Sequence, residues 1–182
     1  MEGVFYLLKD KPVKVTSQYA AQLEAKGFTM KRGWDEQLVE LLIECSKEEE
    51  IRLLTPRDAA ERFTDAQAAQ RWYETRRRVV YSLSHDELLD GIVWLSYEPK
   101  DSLGADYTLA IRLYKGARGH GLAGDFLEAA LQDFAQFAHY KKGYWLDTDI
   151  TNLRAQHLYS VHGFNEVERS SERITMVRGN TL

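Results

Sequence analysis

The sequence predicts an α/β domain, with strands and helices alternating around one sheet. Three observations point there. A glycine-rich bend, Lys115-Gly116-Ala117-Arg118-Gly119-His120-Gly121, joins a β-branched and aromatic stretch to an amphipathic one. Strand-like and helix-like runs then recur in short order up to the C-terminus. Finally, 182 residues with 44% hydrophobic and 29% charged side chains have the size and balance of an ordinary soluble globular domain.

Taken in order, Val4 to Leu8 is an apolar run, and Val13 and Val15 read as a returning strand after Pro12. Thr16 or Ser17 can cap a helix carrying Tyr19, Ala20 and Leu23, which Gly27 stops. A second helix covers about Trp34 to Cys45, with Leu38, Leu41, Leu42 and Cys45 on one face. Ser46 to Glu50 is a charged connector. Residues 1–50 are therefore set apart as an appended segment of unassigned role, and residues 51–182 as the main domain.

Ile51 to Leu54 reads as a short strand, with Thr55 and Pro56 starting helical character that runs to about Arg78. Val79–Leu83 and Ile92–Tyr97 are strands joined by a turn-rich segment, and Tyr107–Leu113 is a third. After the bend, Leu122, Phe126, Leu127, Ala130, Leu131, Phe134 and Phe137 form a helical stripe. Tyr144–Thr148 is a strand and Asn152–His162 a short helix. Phe164–Val177 is a hairpin turning near Ser170-Ser171.

Charge narrows the function. A net charge of -4 lacks the basic surplus of a non-specific nucleic-acid binder. Arg76-Arg77-Arg78 reads as a solvated helix end whose cations suit the negative dipole. No apolar run approaches the ~20 residues of a membrane span, and the start lacks a signal-peptide pattern, so a cytoplasmic protein is expected. One cysteine, Cys45, excludes an internal disulfide framework and a multi-cysteine metal site, and its apolar spacing reads as a packed thiol. The histidines show no metal-ligand spacing, and no metal is expected.

The bend carries the chemistry. A strand entering a helix through glycines exposes unpaired N–H groups at the positive end of a helix dipole, which suits a pyrophosphate. Lys115 and Arg118 could add charge-assisted contacts. The bend fits neither the P-loop nor the dinucleotide fingerprint. Further on, Asn152 can cap a helix on which Tyr159, seven residues later, lies along the same side.

Together the two stretches resemble a known family. Arg118-x-x-Gly121-x-Ala123 matches the Gln/Arg-x-x-Gly-x-Gly/Ala signature of the GCN5-related N-acetyltransferase (GNAT) superfamily. Asn152-x-x-Ala155-x-x-x-Tyr159-x-x-x-Gly163-Phe164 is similar to its second signature. Order and separation also agree, over roughly residues 51–178. The resemblance implies a mixed, mostly antiparallel sheet whose central strands splay around the pantetheine arm of acetyl-CoA, flanked by helices. It implies phosphate contacts from the N–H groups of Arg118, Gly119, Gly121, Leu122 and Ala123. Leu113 matches the position whose N–H polarises the thioester carbonyl, Asn152 one that binds the cofactor's arm, and Tyr159 the general acid that protonates departing CoA.

The expected reaction is direct acetyl transfer to an amine, small or on a protein. The base that takes the amine's proton is open among Asp106, Glu98, Asp149 and His120. The short final hairpin hints at an open acceptor side, and the acidic balance would also suit a cationic amine. Two other readings stand beside it: a CoA-binding or sensory module without turnover, and a scaffold that docks a partner through residues 1–50. A homodimer is a family habit.

Overall fold

A computed structural model describes residues 11–138 and 142–179; Val4 to Leu8 and His139 lie outside them. Eight strands form one sheet: β1 (Val13–Lys14), β2 (Thr29–Arg32), β3 (Val79–His85), β4 (Leu88–Lys100), β5 (Ala105–Leu113), β6 (Gly143–Asp149), β7 (Asn165–Arg169) and β8 (Arg173–Arg178). Their spatial order is β1-β2-β3-β4-β5-β6-β8-β7, antiparallel throughout except for the parallel pair β5–β6.

Helices cover both faces. On one side α1 (Gln18–Ala25) and α5 (Ala123–Ala138) pack with Val79, Tyr81, Leu83, Val93 and Leu95. On the other, α2 (Glu36–Cys45), α3 (Glu49–Leu54) and α4 (Ala66–Thr75) pack with Val80, Ile92 and Trp94. A strand buried on both faces needs a continuous apolar run, and β4 is buried without a break from Leu89 to Ser96. The last helix, α6 (Leu153–Val161), sends Ala155, Leu158 and Tyr159 into the α5 side.

Local chemistry explains most boundaries. Ser17, Asp35, Asp65 and Asn152 each accept a hydrogen bond from the N–H three residues on, satisfying one orphan donor of the helix they open. Gly27 and Gly163 follow helix ends with φ of +90° and +80°.

Residues 13–50 share this sheet and core. β2 pairs with β3 from Thr29↔Ser84 to Arg32↔Tyr81, and Leu23, Met30 and Leu42 are fully buried. The expected strand at Ile51–Leu54 is instead part of α3. Only Ile51 is buried there, while Leu53 and Leu54 face solvent, so the apolar run offers no two-sided strand. Glu49 and Glu50 in the first turn favour the helix dipole. Thr55 closes this helix, its hydroxyl donating to the Ile51 carbonyl at 3.0 Å, and does not open the next. A π-helical turn, Asp58–Arg62, follows, closed by the Phe63 N–H on the Asp58 carbonyl at 2.9 Å.

Candidate active site

The parallel pair β5–β6 holds register only at Ala105↔Gly143, Tyr107↔Tyr144 and Thr108↔Trp145. Beyond Thr108 both strands continue, to Leu113 and Asp149, without pairing to each other. They diverge, and a gap opens in the middle of the sheet.

The backbone facing the gap follows from the ladder on the other side. The Tyr114 N–H donates to the Asp90 carbonyl at 2.7 Å, and Arg112 pairs with Ile92. In an antiparallel ladder alternate residues turn their N–H to the partner. Even-numbered residues of β5 therefore face β4, and Ile111 and Leu113 turn their N–H groups into the gap. The Tyr159 phenol oxygen takes the hydrogen bond of the Ile111 N–H from across it.

Tyr159 is buried, and that burial pushes its phenol up; Arg112, the Ile111 N–H and Arg173 oppose the shift without cancelling it. The hydroxyl keeps its proton at neutral pH and can give it up only to a group that develops charge beside it. Asn152 lies on the same wall, its side-chain oxygen taken by the Ala155 N–H at 3.1 Å. Both face a cleft of about 680 Å³ that runs from the gap to α3 and α4.

The bend stands at the end of β5. Gly119 and Gly121 have φ of +81° and +65°, and a Cβ on either would meet nothing within 4 Å. Their glycines answer to backbone conformation and leave an open surface. Among the described residues, the N–H groups of Arg118, Gly119, Gly121, Leu122 and Ala123 make no backbone hydrogen bond of good geometry. The Arg118 side chain turns back from that surface. Its Nε donates to the Leu113 carbonyl at 2.9 Å, Nη2 to Glu48 at 2.8 Å, and Nη1 lies 3.1 Å from Glu50. Glu48 also accepts from the Lys115 N–H at 3.2 Å, so the bend is clamped to α3. The expected side-chain contact from Arg118 is therefore not available, because its guanidinium is taken up in fixing the loop.

Of the four candidate bases, Glu98 and Asp149 line the cleft and Asp106 and His120 do not. Asp106 pairs with Lys142 at 3.2 Å. Hydrogen bonds from Thr151 hold the Asp149 carboxyl below its ordinary range, which weakens it as a proton acceptor. Glu98 is paired with Arg76. Burial pushes the Cys45 thiol up to about 12, away from any nucleophilic role at neutral pH. Among the described residues no three His, Cys, Asp or Glu side chains group as metal ligands, and no helix is long and apolar enough to cross a membrane.

Sequence reasoning missed the far wall of the cleft. Arg78, read as a solvated helix end, is buried, with its guanidinium 4.4 Å above the Trp72 ring. Asp58 is buried between Arg62 at 2.7 Å and Arg112 at 2.8 Å. The four-residue spacing of Asp58 and Arg62 hinted at that pair, but Arg112 comes from β5, far away in sequence.

Comparisons with known proteins agree with this architecture. The chain resembles the structure of a protein from Bacillus halodurans at TM-score 0.69 and 13% identity, covering 93% of this chain and 92% of that one. It resembles a spermidine N-acetyltransferase from Vibrio cholerae in complex with CoA and spermine at TM-score 0.67 and 16% identity, over 85% and 96% of the two chains. For an aminoglycoside N(6')acetyltransferase from Legionella pneumophila the values are 0.63 and 17%, over 84% and 92%. No curated protein sequence matches significantly. The acetyltransferase (GNAT) family profile matches residues 36–164, which take in the gap, the bend and Tyr159. This chain is thus an acetyltransferase of the GNAT family.

Proposed function

We propose that this chain moves an acetyl group from acetyl-CoA directly to an amine in a ternary complex. The observation that carries the reading is the gap between β5 and β6, where a phenol and inward-facing backbone N–H groups meet. In it the Leu113 N–H faces the thioester carbonyl and stabilises the charge that develops on its oxygen during attack. The N–H groups of Arg118, Gly119, Gly121, Leu122 and Ala123 receive the pyrophosphate at the start of α5. Asn152, at the start of α6, binds the pantetheine arm from the β6 side of the gap.

The amine nitrogen attacks the carbonyl carbon, and the carbon–sulfur bond breaks. The departing sulfur takes the Tyr159 proton; with an ordinary pKa of ~10 the phenol is still protonated at pH 7 when the thiolate forms, and so is loaded to give that proton. The proton lost by the amine leaves into the cleft, and solvent restores Tyr159. An acid held in the gap favours turnover over a CoA-holding module without catalysis.

Thermal unfolding with and without acetyl-CoA tests the cosubstrate. At a hundredfold excess over Kd, selective binding adds about 2.7 kcal/mol of stability. Gly121→Glu puts a side chain and a negative charge where the φ of +65° and the open N–H surface are needed, and should abolish the shift. No shift at millimolar acetyl-CoA in the wild type would end this reading.

A further inference from the structure

The lining of the cleft carries more positive than negative charge. Seven arginines and four acidic side chains line the cleft among the described residues. Most arginines have a partner: Arg57 pairs with Glu61 at 2.9 Å, Arg76 with Glu98, and Arg173 donates to the Asp147 carbonyl at 2.9 Å. Arg62 and Arg112 share the single carboxylate of Asp58, itself 1% exposed. Both guanidinium groups lie over Trp94, at 5.8 Å and 4.9 Å.

Arg78 has no such partner. It is 8% exposed, and its Nε and Nη1 are buried without a hydrogen bond. Its contact is the Trp72 face, and Trp72 meets Trp94 edge-on at 5.3 Å. A ring face attracts a cation but leaves its in-plane N–H donors free. Burial, with Arg76 and Arg62 nearby, lowers its pKa to about 9, with Glu98 opposing. An unpaired buried guanidinium is costly, and in native proteins such a group is normally matched by a ligand or partner.

We propose that Arg78, with Arg62 and Arg112 beside it, forms a site for an anionic group on the acceptor, so that the acceptor is an amine that also carries a carboxylate or a phosphate. The guanidinium fork suits either oxyanion. The site shares its cleft with Tyr159 and the gap. A molecule whose anion rests on Arg78 is thereby held inside the same enclosure as the reacting centre. The same wall disfavours polycations of the kind named for the Vibrio and Legionella enzymes, because it would set like charges together. The acceptor role rests on the transferase reading; the anion site itself does not.

Two experiments separate these. The first measures thermal unfolding in inorganic phosphate and in succinate against chloride at equal ionic strength. Wild type should be stabilised by at least one of the two anions, and R78Q and R78M should lose that shift while keeping the one from acetyl-CoA. Phosphate as the stronger ligand assigns a phosphate group, and succinate a carboxylate. No anion effect in the wild type, or an undiminished one in both variants, overturns the site. The second measures CoA release with O-phosphoethanolamine against ethanolamine and β-alanine against ethylamine, with spermidine as the polycation. In at least one pair the anionic member should show kcat/KM about tenfold or more above its neutral partner, the scale of a charge-assisted hydrogen bond. R78Q should remove that preference through KM, and R78K should restore part of it. A preference for spermidine or for the neutral amines would overturn the proposal, whereas loss of the acetyl-CoA shift alone would strike the transferase reading.

Discussion

The Tyr159 phenol meets the Ile111 N–H in the gap and is kept protonated by burial. Tyr159→Phe preserves the packing against Phe164, whose ring centre is 5.6 Å away, and removes only the oxygen. We expect kcat to fall by about a hundredfold or more, in the usual range for a lost general acid. The acetyl-CoA-induced thermal shift should persist, because the proposed phosphate contacts lie at the bend and not at Tyr159. Full turnover in the variant would remove Tyr159 from the mechanism. At this scale the sequence was legible where chemistry is local. Asn152 and Tyr159 share a helix through their spacing, and both reach the cleft. Arg78 was not legible, because an arginine becomes a buried cation only when Trp72 is folded beneath it.

Among the elements, the bend depends on a neighbour distant in sequence. Asp90 lies beneath it: its carbonyl receives the Tyr114 N–H, and its carboxylate sits against the position a Gly116 Cβ would occupy. Oδ2 is buried without a partner, and burial raises the carboxyl above its ordinary value of 3.8, with His85 opposing. A raised folded pKa means that the native state binds this proton more tightly than the unfolded chain does. Asp90 therefore subtracts stability as pH rises from its ordinary value through its raised one, and the loss is complete above that. Asp90→Asn cannot ionise and should lack this component. Its urea midpoint should gain on the wild type as pH climbs across that window and hold the gain at neutral pH. A constant difference across the window would refute the assignment. α3 shows why element type was harder to read. Ile51 to Leu54 is apolar enough for a strand, and only the distribution of burial, with Leu53 and Leu54 outside, reveals a helix.

In the molecule as a whole, the bend and Tyr159 belong to different helices and are held in register. Glu128 of α5, 8% exposed, accepts from Arg178 of β8 at 2.7 Å and 3.2 Å and lies 2.9 Å from the His162 Nδ1 at the end of α6. One carboxylate thus joins the helix that begins at the bend, the helix that carries Tyr159 and the strand beside β6. Alternating elements and the glycine bend made the α/β class readable from the sequence. The sheet contribution of residues 13–50 was not, because a two-residue β1 and a four-residue β2 are too short to show a period.

The end of pairing at Thr108 and Trp145 makes an edge strand of β5 in the interior of a sheet. Its amides should exchange with deuterium in a two-residue rhythm. Ala110 and Arg112, turned to β4, should be slow, and Leu113 fast, with Ile111 slowed only by Tyr159. A ligand lying along the gap would take the place of a missing strand and erase the rhythm. Amide-resolved exchange with and without acetyl-CoA would then show that part of the sheet arrives with the substrate.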